Sequence, residues 1–151
     1  MNMIADPNAA RKGWMGVLAK SPAADLARLW AVLPITPDYT ALRRPEIGGV
    51  MVRGRAGATG AAFSLGEMTV TRASVKLADG TVGHGYVQGR DKDHAVQAAL
   101  VDALMQTAAA KQVEVEVLEP LRSAQSRRKT DRAAKAAATK VDFFTMARGD
   151  G

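Results

Sequence analysis

The residues best suited to chemistry are arginines set among glycines. The run Arg53-Gly54-Arg55-Ala56-Gly57-Ala58-Thr59-Gly60 places two guanidinium groups beside glycine backbone whose N–H groups can converge on a phosphate. It lacks the Gly-Lys-Ser/Thr ending of a P-loop, and the residues after it read as loop and strand, where a dinucleotide fingerprint needs a helix. Two readings stand: a flexible connection between strands, or an anion-contacting loop. Arg72 and Arg90 lie in or beside similar strands and turns. Arg53, Arg55, Arg72 and Arg90 are therefore the candidate anion- or interface-contacting residues. Arg90, within Gln88-Gly89-Arg90-Asp91, contacts an anion, makes an interface contact, or braces its own turn through an aspartate. The last would contribute under about 1 kcal/mol, as exposed ion pairs do.

Other reactive groups are few. His84 and His94 are the only histidines, and there is no cysteine. Disulfides, thiolate nucleophiles and Cys-ligated zinc are excluded. Neither histidine has a second ligand-type residue at metal spacing, so both read as structural or solvent-facing. Asp91 and Asp93 precede a helical pattern and read as helix caps in preference to a general acid–base pair. No complete catalytic set and no metal set emerges.

These groups must be carried by a domain of mixed type. The chain has 151 residues, of which 47% are apolar, enough to bury roughly 70% of the surface its unfolded form exposes. Residues 9–20 read as a helix with Trp14, Val17 and Leu18 on one side. Ser21 is the expected N-cap of a second helix and Pro22 its first residue. Leu26, Leu29, Trp30 and Leu33 form its apolar stripe, and Pro34 and Pro37 end it. Both tryptophans read as core residues.

Four strands are expected next, at 39–43, 49–55, 68–77 and 81–88, with Asp79-Gly80 as a tight hairpin turn. No connection is long enough for a helical crossover, so the sheet should be antiparallel. A helix over 93–109 should cross one face of it through Val96, Leu100, Val101, Ala103, Leu104, Met105 and Thr107. Val113, Val115 and Val117 alternate with glutamates and suggest a short strand. The expected fold is α+β: two N-terminal helices, an antiparallel sheet of about four strands, a helix on the sheet, and a basic C-terminal helical arm. The organisation is an α+β domain over 1–120 and an arm over 121–151.

The net charge of +6 belongs to that arm. Between Arg122 and Lys140 seven basic residues face a single acid, Asp131, while the rest of the chain is neutral. The segment has good helix propensity and almost no apolar stripe. It is either a solvated helix or a surface for an acidic partner or nucleic acid. It has few aromatics, which does not favour a stacking platform for single strands. Phe143, Phe144 and Met146 follow at once, an apolar end that should return to a core or dock on a partner. No run is apolar enough to span a bilayer. The first residues show neither the basic nor the apolar region of a signal peptide, so a cytoplasmic location is expected.

Four stretches together resemble one family. They are Trp14-Met15-Gly16-Val17-Leu18-Ala19; Thr71-Arg72-Ala73 leading through Val75 and Leu77 to Asp79-Gly80-Thr81; Val87-Gln88-Gly89-Arg90-Asp91-Lys92, continuing through Ala99-Leu100-Val101-Asp102-Ala103-Leu104-Met105-Gln106; and Val141-Asp142-Phe143-Phe144-Thr145-Met146. The chain resembles the PhnG family, the G subunit of the bacterial carbon–phosphorus lyase core complex, over nearly its whole length. Residues 1–10 and 108–135 match loosely.

The resemblance implies phosphonate catabolism in a two-fold assembly with the I, H and J subunits. There an alkylphosphonate displaces adenine from ATP to give ribose 1-alkylphosphonate 5-triphosphate, a transferase reaction. It also implies an iron–sulfur cluster and S-adenosylmethionine on the partner J subunit, no cofactor on this chain alone, and an assembly role in place of catalytic groups. A basic nucleic-acid- or regulator-binding protein is the alternative from a different class.

Overall fold

The computed structural model describes residues 7–55 and 62–149, and the side chains of residues 8–51 and 66–139. Two compact units divide at Leu121 and Arg122. The first holds two helices, α1 (Pro7–Lys20) and α2 (Ala23–Val32), then strands β1 (Tyr39–Arg55), β2 (Ala62–Leu77) and β3 (Val82–Gln88). Helix α3 (Lys92–Leu104) follows, then a short α4 (Ala110–Val113) and a π-helical turn (Glu114–Leu118) that leads into α5 (Glu119–Gly149). From Arg122 onward α5 belongs to the second unit.

The α+β class and the antiparallel sheet are as expected. Among the described residues, however, the sheet has three strands in the order β1-β2-β3. The two strands expected at 39–43 and 49–55 are one strand of 17 residues. Pro45, Gly48 and Gly49 do not break it, because β1 is an edge strand. Its pairing with β2 shifts register between Ala41 and Arg43 and again between Arg43 and Glu46. A proline is tolerated at such a bulged edge, where its missing N–H leaves no ladder bond unmade. The Asp79-Gly80 turn is present: Gly80 has φ +94°, and the Thr81 N–H donates to Asp79 Oδ1.

One face of the sheet is covered by helix. Ala73, Val75, Leu77 and Val87 join Leu18, Leu26, Leu100, Val101 and Leu104 in a single buried cluster, with Trp14, Leu29 and Trp30 packed against it. The fit between α3 and β3 depends on glycine. A Cβ on Gly83 would overlap the carbonyl oxygen of Ala99, and one on Gly85 that of Ala95. The helix backbone thus lies directly on the strand backbone, with alanines at Ala95, Ala99 and Ala103 as the only side chains small enough to allow it.

Three local expectations are corrected. Val113, Val115 and Val117 are helical. Val113 and Val117 are buried with Leu118 and Leu121, while Val115 is 53% exposed, a spacing of about four residues that a strand could not give. Helix α3 stops at Leu104, short of 109. Thr107 Oγ1 donates to the Leu104 carbonyl, and Gln106 Nε2 donates to those of Asp102 and Val82, so side chains satisfy the terminal carbonyls. Ser21 does not cap α2. Pro22 holds that position, accepting from the N–H groups of Asp25 and Leu26. Ser21 is buried, and its hydroxyl donates to the Leu18 carbonyl.

Candidate functional site

The open face of the sheet gathers the groups most able to bind. Cross-strand pairing aligns Arg43 (β1) with Ser74 (β2) and His84 (β3), and Glu46 (β1) with Arg72 (β2) and Tyr86 (β3). Directly opposed residues share a face. The alternate residues of β2 and β3 point into the core, so this row must point away from it. Arg43, Arg72, Ser74, His84 and Tyr86 line one concavity of about 250 Å³. The Arg72 guanidinium stands 5.3 Å from the Tyr86 ring centroid, within cation–π range. Ser74 Oγ and His84 Nδ1 are 2.8 Å apart. A serine–histidine contact of this length suits a nucleophile and its base. Among the described residues, though, no carboxylate orients the imidazole, as acyl-transfer chemistry needs.

Of the four arginines singled out in the sequence, Arg72 alone is placed in this concavity, together with His84, which the sequence read as structural or solvent-facing. Arg90 is exposed and lines a separate groove of about 330 Å³ with Ile47, Gly48, Gly49, Glu67 and Thr69. No ion pair of Arg90 with an aspartate is found among the described residues. Arg53 and Arg55 lie in β1, opposite Ser64 and Ala62 of β2. The glycine-rich run therefore joins two antiparallel neighbours; residues 56–61 and the two arginine side chains lie outside the described residues. Helix α5 is assigned through Gly149, and the side chains of Phe143, Phe144 and Met146 also lie outside them.

Sequence reasoning missed Asp102. This carboxylate is fully buried and accepts four hydrogen bonds. Arg11 donates from Nε to Oδ1 at 3.1 Å and from Nη2 to Oδ2 at 2.8 Å. Trp14 Nε1 donates to Oδ1 at 2.7 Å, and the backbone N–H of His84 donates to Oδ2 at 2.8 Å. The hydrogen bonds to Asp102 hold the Arg11 guanidinium above its ordinary range, against a lowering by burial. With every lone pair engaged, Asp102 joins α1, α3 and the outer edge of β3. It positions the His84 backbone and therefore the floor of the concavity. The signal in the sequence was an acid inside the apolar run Ala99-Leu100-Val101-Asp102-Ala103-Leu104.

His94 is 2% exposed, a structural histidine at the start of α3. Its backbone N–H is capped by Asp91 Oδ1, as the sequence suggested, and its Nε2 lies 3.4 Å from Ser21 Oγ. Burial pushes the imidazole below its ordinary range, more than Asp91 and the Leu18 backbone raise it. The folded chain thus holds His94 neutral where the unfolded chain, with a pKa of about 6.5, binds a proton. Stability is full above that value and falls as pH drops below it, by up to about 1.4 kcal/mol per pH unit for this group. Urea midpoints compared between about pH 7.5 and about pH 5 should show a steeper fall for wild type than for His94→Gln. Parallel curves would contradict this.

Among the described residues no group of three or more His, Cys, Asp or Glu is placed to hold a metal, and no helix is long and apolar enough to cross a membrane. Fold and site together define a small α+β protein with a cationic sheet face and a basic C-terminal helix. The family model for the phosphonate metabolism protein PhnG matches residues 9–149, and the chain belongs to that family. It is 45% identical over 146 residues, 94% of this chain and 91% of the relative, to the alpha-D-ribose 1-methylphosphonate 5-triphosphate synthase subunit PhnG of Rhizobium meliloti (strain 1021).

Proposed function

We propose that this chain is the G-type subunit of a ribose 1-alkylphosphonate 5-triphosphate synthase, acting in the cytoplasm with I, H and J subunits. The complex exchanges the adenine of ATP for an alkylphosphonate; the iron–sulfur and S-adenosylmethionine chemistry resides on the J subunit. The observation that carries this is the 45% identity, across nearly the full length of both chains, to a subunit of that synthase. The surface suits a subunit. Strand β1 is an edge of the sheet and leaves Tyr39, Leu42, Ile47 and Met51 exposed, the kind of edge that free-standing proteins shield. The test is adenine release from ATP, dependent on methylphosphonate, by the I, H and J subunits with and without this chain. Release should require the chain; equal release in its absence would overturn the proposal.

The arm's part is docking. Residues 129–139 of α5 are exposed, and the apolar Phe143, Phe144 and Met146 lie beyond them. Burying each large side chain stabilises by roughly 1.5–3 kcal/mol, and a polar helix offers them nothing to pack against on itself. They anchor the chain to the I or J subunit, with the basic stretch along acidic surface. A Phe143→Ala/Phe144→Ala chain should assemble at least about tenfold more weakly, as loss of an interface hot spot implies, while keeping its circular dichroism. Unchanged assembly would refute the anchor, as would a several-kcal/mol loss of the chain's own stability. Tight binding of random duplex DNA by the wild-type arm, with a steep salt dependence, would instead favour the nucleic-acid alternative.

A further inference from the structure

We infer that the open face of the sheet, at Arg43, Arg72, Ser74, His84 and Tyr86, is a binding site for a tetrahedral oxyanion: the phosphate or phosphonate group of a small molecule. The donors converge. Two guanidiniums, a hydroxyl and an imidazole line the same concavity of about 250 Å³, and no carboxylate does. Glu46 opposes Arg72 in register but is not part of that lining. Neither Arg43 nor Arg72 has a carboxylate at ion-pair distance among the described residues. Two exposed cations lining one concavity with no carboxylate at ion-pair distance from either repel each other, and a dianion removes that repulsion.

The groups are also held in place. The contact with Tyr86 orients the Arg72 guanidinium. Ser74 orients His84 through Nδ1. When the hydroxyl donates to Nδ1, the proton of a neutral imidazole sits on Nε2, which has no partner among the described residues and becomes a donor to the ligand. Beneath them the backbone is fixed. The His84 N–H is bound by Asp102, and Gly83 and Gly85 lie flat against α3. A rigid floor is what a preorganised site requires. Forked guanidiniums with a hydroxyl and an imidazole N–H present donors from several directions, which suits three oxygens on a tetrahedral centre better than the two of a planar carboxylate.

The site stands on this geometry. Only the choice of a phosphonate over a phosphate ester as its natural ligand rests on the subunit reading. The experiment is amide NMR of the full-length chain, titrated at constant ionic strength with inorganic phosphate, with methylphosphonate, and with acetate as the planar control. Saturable shifts are expected at Arg43, Arg72, Ser74, His84 and Tyr86 with the first two ligands. Arg72→Ala and Arg43→Ala should each weaken binding by about tenfold, the effect of one charge-assisted hydrogen bond. Alanine at Arg127, Arg128 and Arg132 together should leave it unchanged.

Non-saturating shifts, shifts confined to residues 122–140, equal binding of acetate, or an unaffected Arg72→Ala chain would each overturn the inference. Shifts at the sheet in a chain that never joins the I, H and J subunits would remove the subunit reading and leave the site standing. Assembly without such shifts would do the reverse.

Discussion

Asp102→Ala is expected to cost the folded chain about 3–5 kcal/mol, the range for breaking a buried ion pair from one side. The carboxylate is fully buried and takes both donors of the Arg11 fork, the Trp14 indole N–H and the His84 backbone N–H. Removing it strands the last two without water, and each unsatisfied buried donor costs about 1–3 kcal/mol. Asp102→Asn keeps the volume but loses the charge and gives Arg11 an N–H to face, so it should fall between alanine and wild type. Trp14→Phe removes one donor and leaves the carboxylate three, and should cost only about 1–2 kcal/mol. Urea unfolding of the full chain followed by circular dichroism orders the three. A loss under about 1 kcal/mol for Asp102→Ala would mean that the four hydrogen bonds do not hold α1, α3 and β3 together.

Gly85→Ala and Gly83→Ala should be as severe, for a different reason. Neither glycine has a positive φ, so alanine meets no backbone strain there. The added methyl meets the helix backbone itself, at the carbonyls of Ala95 and Ala99. Overpacking usually costs about 1–3 kcal/mol because side chains can shift, and here no side chain is available to shift. The helix must lift from the strand, which also opens the contact between Asp102 and His84. A loss of at least about 3 kcal/mol, or failure to fold, is expected. Gly48→Ala, at a glycine with open space around its Cβ position, is the matched control and should change the unfolding midpoint little. Equal effects at Gly83, Gly85 and Gly48 would contradict the close packing of α3 on β3.

Local pattern made the helices and the hairpin legible. The stripe through Leu26, Leu29, Trp30 and Leu33 and the Asp79-Gly80 turn are properties of neighbours in the chain, and both appear as read. Punctuation misled where tertiary context decides. Pro45 and Gly48-Gly49 would interrupt a central strand, yet β1 is an edge: it absorbs Pro45 in a register shift between Arg43 and Glu46 and keeps Gly48 and Gly49 in regular pairing with Val70 and Thr69. The glutamates between Val113, Val115 and Val117 imitate a strand's alternation, and burial of Val117, Leu118 and Leu121 selects the helix.

The candidate site was legible in only one residue, Arg72. Its companions Arg43, Ser74, His84 and Tyr86 come from three strands, and only the cross-strand register brings them together. Asp102 was hidden for the same reason. Its donors are 88 and 91 residues away at Trp14 and Arg11 and 18 residues away at His84, and nothing in an apolar helix indicates which distant groups will meet its buried acid. Resemblance to a family supplied the function, since no local motif here carries a reaction.

Subunit membership is tested most directly by native mass spectrometry of the full-length chain co-expressed with the I, H and J subunits of its own organism. One assembly whose mass includes this chain is expected, and loss of the chain from that assembly on Phe143→Ala/Phe144→Ala. A complete assembly of I, H and J from which this chain is absent, with the chain found free, would contradict it.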